Sequence, residues 1–205
     1  MIKPGRAKPK RLVNTTAGPT TTTMPTPPLA RTATTPEGES YRPAGLVRAS
    51  IADGRPGLPL FVGLDVRDGR GRPVRGVAVD LWHCDAAGDY SSGQGSDTFC
   101  RGRQTTDDAG AVGFITIWPG WYATRAIHLH VRVATATPVA TQLFLPEPDD
   151  ERVRRDPIYA ANRFPVVTNV DDPYWRQLSG TTLMTMTPTK GGPPSAAFAL
   201  VVSSG

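Results

Sequence analysis

The feature that most constrains this chain is a series of short runs in which apolar residues alternate with polar or small ones, each run closed by glycine or proline. In Leu60-Phe61-Val62-Gly63-Leu64-Asp65-Val66 the residues at 60, 62, 64 and 66 fall on one face of an extended segment. Asp68-Gly69-Arg70-Gly71-Arg72-Pro73 then reads as a turn. Val77, Val79 and Leu81 resume the alternation, and further runs lie near Val112–Trp118, Ile127–Val133, Val139–Leu145, Thr181–Thr187 and Ala196–Val202. With 21 glycines and 21 prolines in 205 residues, long helices are excluded, and the pattern predicts an all-β fold. We expect a β-sandwich of short, mainly antiparallel strands carrying long loops. The polar segment from Pro146 to Pro173 is expected to be irregular, with a short helix near Asp150–Arg154.

Residues 1–40 read differently. From Thr15 to Pro28 the chain is almost all threonine, proline and small residues, too poor in apolar side chains to offset the entropy of ordering. The expected organisation is a disordered tail over 1–40 and one domain over 41–205. The formal charge of +5 does not imply a nucleic-acid partner. Its cations sit largely in the tail (Lys3, Arg6, Lys8, Lys10, Arg11) or scatter through turns instead of forming a stripe. No apolar run is long enough to span a membrane. No apolar stretch of signal-peptide length follows the basic start, so a cytoplasmic chain is the default expectation, with export open. The two cysteines, Cys84 and Cys100, are compatible with one bridge or with two buried thiols.

The chemistry concentrates in three histidines. His128 and His130 are two apart in a strand, so both imidazoles leave one face while Ile127, Leu129, Val131 and Val133 occupy the other. Taken alone, such a pair is either a hydrogen-bonded couple or half of a metal site. No cysteine or carboxylate stands beside it. Tyr122, six residues upstream, and Tyr90, in the Gly/Ser/Asp-rich loop from Asp85 to Asp97, are packing phenols if read singly and complete a His₂Tyr₂ set if read together.

With those residues in place the sequence resembles the intradiol ring-cleaving dioxygenases, in particular their short single-domain members. The matching blocks are Val79-Asp80-Leu81-Trp82-His83-Cys84-Asp85-Ala86-Ala87-Gly88-Asp89-Tyr90-Ser91, then Phe99-Cys100-Arg101-Gly102 and Thr105-Thr106-Asp107. The strongest runs from Thr116 through Trp118-Pro119-Gly120-Trp121-Tyr122 and Arg125 to His128-Leu129-His130, followed by Thr141-Gln142-Leu143-Phe144. Thr35-Pro36-Glu37 with Tyr41 is similar to the family's opening segment, so the resemblance spans about residues 35–202.

It implies Fe(III) as cofactor, held by Tyr90, Tyr122, His128 and His130, and an enzyme that uses O₂ to cleave a catechol-type aromatic diol between its two hydroxylated carbons, giving a muconate-type product. It implies Arg125 against the bound substrate, Gln142 lining the same pocket, and Tyr122 as the ligand that takes a substrate proton. His83 matches a histidine that is not a ligand and is read as a structural hydrogen-bonding residue. The loop Ser91–Thr98 is shorter than in many relatives. The charges agree with this assignment: two tyrosinates and a hydroxide balance a trivalent ion, and hard oxygen donors favour that state. A non-catalytic β-sandwich binding module is the competing reading, and a structural zinc site fits a two-tyrosine donor set poorly. Trp82, Trp118 and Phe114 are read as core or pocket wall, Asp107-Asp108 as a turn, and Arg152, Arg154 and Arg155 as solvated.

Overall fold

The computed structural model describes residues 28–43 and 46–203. Eight strands form two four-stranded sheets, with strand order β4-β1-β8-β7 in one and β3-β2-β5-β6 in the other. The strands are β1 (Pro59–Asp68), β2 (Ala78–Trp82), β3 (Arg101–Thr105), β4 (Ala111–Ile117), β5 (His128–Val133), β6 (Val139–Phe144), β7 (Thr185–Thr187) and β8 (Ser195–Val202). Every pairing is antiparallel except β1 with β8. The all-β sandwich expected from the alternation is therefore observed.

The core lies between the sheets. Leu60, Val62, Leu64 and Val66 of β1 face Val79 and Leu81 of β2 and Leu129, Val131 and Val133 of β5 in one apolar cluster, each at most 1% exposed. Each such side chain contributes roughly 1.5–3 kcal/mol by leaving water. β3 has no apolar alternation (Arg-Gly-Arg-Gln-Thr) and was not anticipated. It forms through backbone pairing with β2 and through the buried Arg101 side chain, which donates to Ser91 Oγ at 2.7 Å and to Ser40 O at 3.1 Å.

The long connection between β6 and β7 buries Val153 and Tyr159 in the core and lays Trp175 against Phe144 of β6. It carries α1 (Glu147–Arg154), whose first turn is acidic and last turn basic, as the helix dipole favours. It also carries α2 (Pro173–Gln177), with proline at its start and Asp172 as N-cap. Arg154 departs from its expected solvated role: its side chain is 10% exposed, pairs with Glu147 at 2.6 Å and donates to Val167 O. Asp107 is the turn residue it was read as, accepting from Ala109 N and Ala111 N.

Residues 1–27 of the expected tail lie outside the described residues. Residues 28–40 run along the sandwich, tied by Leu29 N to Gly69 O, Thr32 N to Val201 O and Thr35 N to Ala140 O, at 2.8–3.0 Å. Cys84 and Cys100 are both buried free thiols, which settles the open question of a bridge. Among the described residues no helix is long and apolar enough to cross a membrane.

Candidate functional site

The strand pleat sends His128 and His130 to the outer face of the second sheet. Register places Trp82, His130 and Gln142 side by side across β2, β5 and β6, and His128 opposite Phe144. Trp82 stacks on the His130 ring, with centroids 5.0 Å apart and planes 15° apart. His128 Nδ1 donates to Ala126 O at 2.7 Å, which fixes the tautomer and leaves the Nε2 lone pair free. His130 Nδ1 is buried without a hydrogen-bond partner among the described residues.

Two loops bring in the phenols. Asp85 organises the first by accepting from Ala87 N and Asp89 N, and Gly88 completes its turn at φ +92°. The second passes through Pro119-Gly120-Trp121 and is held by Trp121 Nε1 donating to Phe164 O and Asn162 Nδ2 donating to Trp121 O. The loops touch at two glycines: a Cβ on Gly88 would lie 2.5 Å from Trp121 O, and one on Gly120 2.6 Å from Ala86 O. Only glycine permits this approach, and the approach is what brings Tyr90 to Tyr122.

The four expected donor atoms form a closed ring. Tyr90 Oη lies 3.4 Å from Tyr122 Oη, Tyr122 Oη 3.3 Å from His128 Nε2, His128 Nε2 3.1 Å from His130 Nε2, and His130 Nε2 3.1 Å from Tyr90 Oη. A four-membered ring with edges of this length has a centre within about 2.3 Å of each atom, close to the length of a first-row metal–nitrogen or metal–oxygen bond (~2.0–2.2 Å). Burial, and then the nearby Arg125 charge, hold His128 well below the ordinary imidazole range; burial, His128 and Arg125 do the same for His130. Both are thus neutral, as ligands must be. Burial raises both phenols, Tyr90 the more strongly, so paired tyrosinates require a cation between them. Two neutral nitrogens and two hard oxygens fit one small, highly charged ion.

Among the described residues no three His, Cys, Asp or Glu side chains come together to hold a metal ion, so a centre here needs the tyrosines. The chain segment that the sequence assigned to the tail roofs this face. An added Cβ on Gly38 would lie 3.6 Å from His130 Cε1, Glu37 pairs with Arg132, and Tyr41 Oη donates to Asp80 Oδ2 at 3.1 Å.

A family model described as Dioxygenase (Dioxygenase_C) matches residues 38–174, two thirds of the chain. The chain belongs to the intradiol ring-cleavage dioxygenase family. Among curated proteins, the protocatechuate 3,4-dioxygenase beta chain of Burkholderia cepacia is 30% identical over 132 residues, covering 56% of this chain and 55% of that one. The match thus spans about half the length of that relative. Among solved structures, an intradiol ring-cleavage dioxygenase from Tetranychus urticae superposes with a TM-score of 0.76 at 24% identity, covering 82% of this chain and 91% of that one. The dioxygenase domain of a dioxygenase–carbohydrate-binding fusion from Streptomyces sp. SirexAA-E superposes at 0.66 with 26% identity, covering 86% of this chain and all of that one.

The remaining residues singled out for the intradiol site fall around the four donors. Arg125 and Gln142 are buried and hydrogen-bonded to each other through Arg125 Nη2 and Gln142 Oε1. His83 is no part of the ring. Its Nδ1 donates to Cys84 O at 2.7 Å and its Nε2 accepts from Thr116 Oγ1 at 2.8 Å, which ties β2 to β4. Two residues were not foreseen: Asp172, fully buried against Arg125, and Tyr174, whose ring centre lies 4.5 Å from the Arg125 Cζ. Asp171-Asp172-Pro173 offers no periodicity or motif, and an acidic pair before proline is an ordinary helix-start signal.

Proposed function

We propose that this protein is a non-haem Fe(III) intradiol dioxygenase. It acts on a catechol-type aromatic diol, inserts both atoms of O₂ and opens the ring between the hydroxylated carbons to a muconate-type product. The ring of four donor atoms, 3.1–3.4 Å apart, at the positions the family motif predicts is the observation that carries this reading. Tyr90, Tyr122, His128 and His130 would hold the ferric ion, which would supply Lewis acidity toward the diol.

The side chains divide the remaining work. Tyr90 keeps its place. Its loop is pinned by Asp85 before it and by Ser91 after it, where Ser91 Oγ donates to Phe99 O and Ser91 O accepts from Arg101. Tyr122 sits in a short turn closed by Arg125 N donating to Tyr122 O, with Ala123 at φ 44°. By its resemblance to the family's second tyrosine, Tyr122 is the residue whose Oη accepts the second proton of the diol. Arg125 faces the negative charge that develops on the substrate, a preorganised electrostatic contribution. Trp82 and the 35–41 segment keep bulk water off His130.

The test is direct. Protein loaded with ferric iron should bind one ion per chain and show a visible tyrosinate-to-metal band that shifts when a catechol is added under nitrogen. Oxygen should then be consumed in step with a ring-opened product. A panel of catechol, protocatechuate, hydroxyquinol and a larger lignin-derived diol assigns the substrate. Tyr122→Phe should retain iron but slow the shift. Iron-loaded protein whose band responds to none of these diols would exclude the reading.

A further inference from the structure

Arg125 is held on three sides. Its Nε donates to Asp172 Oδ2 at 2.9 Å, and its Nη2 contacts Asp172 Oδ1 at 3.4 Å and donates to Gln142 Oε1. The Tyr174 ring covers the guanidinium face. Nη1 makes no hydrogen bond to any described residue, and the Arg125 side chain is 10% exposed while that of Asp172 is 0%. Asp172 also accepts from Ala126 N at 2.9 Å and caps α2 through Tyr174 N at 2.8 Å and Trp175 N at 3.2 Å. A neutral asparagine or serine can satisfy a helix cap. A buried guanidinium needs a charged partner. The carboxylate, as distinct from the cap, is therefore there for Arg125.

We propose that Asp172 is a positioning residue, which locks the Arg125 guanidinium so that Nη1 alone is left to meet the substrate. This rests on the intradiol reading above. The pair with Asp172 leaves Arg125 little net charge to offer a carboxylate at a distance. Its contribution is one directed donor, used where charge develops on the ring, so the effect of Asp172 falls on kcat and not on KM.

The experiment compares wild type, Asp172→Asn, Arg125→Gln and the double variant, each loaded with ferric iron. Asp172→Asn keeps the cap and removes the charge. We expect iron content and the resting visible band unchanged, kcat down on the order of tenfold with KM nearly constant, and no further loss when Arg125→Gln is already present. If Asp172→Asn does not fold, Asp172→Ser, which retains a capping oxygen, takes its place. A second readout needs no turnover: peptide-mapped modification of Arg125 by phenylglyoxal should be several-fold faster in Asp172→Asn, because the guanidinium is released. Full turnover in Asp172→Asn with Arg125 modified at the wild-type rate would overturn the proposal, as would independent, multiplying losses in the double variant. Wild-type protein inactive on every diol would remove the intradiol reading instead, and the modification rates would still decide the role of Asp172.

Discussion

The two sheets have the same number of strands and share one core, yet their outer faces differ completely. On β4-β1-β8-β7 the outer face carries Phe61 at 38% and Ile115 at 53% exposed beside Gly63, Gly113 and Ala197 among the described residues. On β3-β2-β5-β6 the outer face carries Trp82, His128, His130, Gln142 and Arg101, none more than 4% exposed, under two tyrosine loops, the 35–41 segment and α2. A sheet face in water tolerates almost any residue. A polar sheet face buried under loops must satisfy every donor and acceptor, and those that other protein groups leave free are available for chemistry. The two unanchored Nε2 atoms and two unanchored phenols meet that description.

Substitutions should therefore separate the faces most at the four donors. His130→Ala removes one of them, and loss of outer-shell partners alone typically costs 10–100-fold, so a ligand should cost at least about a hundredfold in iron affinity or turnover. Ile115→Thr, on the other sheet's outer face, should leave both within error. Iron content by elemental analysis and oxygen uptake measure this. Equal effects of the two substitutions would remove the distinction between the faces.

The sandwich was legible because its inner faces follow strict alternation: Leu60, Val62, Leu64 and Val66 write a strand into the sequence, as do Leu129, Val131 and Val133. The cluster of two histidines and two tyrosines was legible because His128-Leu129-His130 combines that alternation with an unusual residue type, and because the tyrosine blocks match a known family in order. What stayed hidden shares a different physical cause. β3 is held by backbone pairing and one buried arginine, residues 28–40 by backbone hydrogen bonds to Gly69, Val201 and Ala140, and Arg125 by a carboxylate 47 residues away. None of these leaves a periodic apolar trace. Arg154 was read as solvated for the same reason, since its partners Glu147 and Val167 are set by tertiary packing.

The inner faces should respond alike whichever sheet they belong to. Leu129→Ala, at 0% exposure on β5, should cost roughly 2–5 kcal/mol, as should Leu60→Ala at 0% on β1. Ile115→Ala, at 53% exposure on β4, should stay within about 1 kcal/mol. Denaturant unfolding of the three variants measures this directly. A Leu129 cost far above that of Leu60 would mean that the site loops depend on β5 for more than packing.

Acid should also distinguish the two halves. The chain has three histidines, and all three serve the site sheet: two on its outer face and His83 at the end of β2. Burial is the main cause that depresses His83 to about 4, against an ordinary imidazole value of 6.5. A depressed histidine favours the neutral form in the folded state. Its stabilising contribution is complete above about pH 6.5 and is lost as pH falls toward 4, where the unfolded chain binds a proton that the folded chain does not. One such group is worth at most roughly 3 kcal/mol over that window. In iron-free protein, stability should therefore fall between pH 6.5 and 4, and His83→Gln should flatten part of the slope while lowering stability at neutral pH. Amide exchange across the same window should rise first in β2 and in the loop carrying Tyr90, and last in the centre of β1, because the proton enters where His83 bridges Cys84 to Thr116. Uniform exchange over both sheets would show that the sandwich opens as one unit, and that the contrast between its faces concerns chemistry alone and not stability.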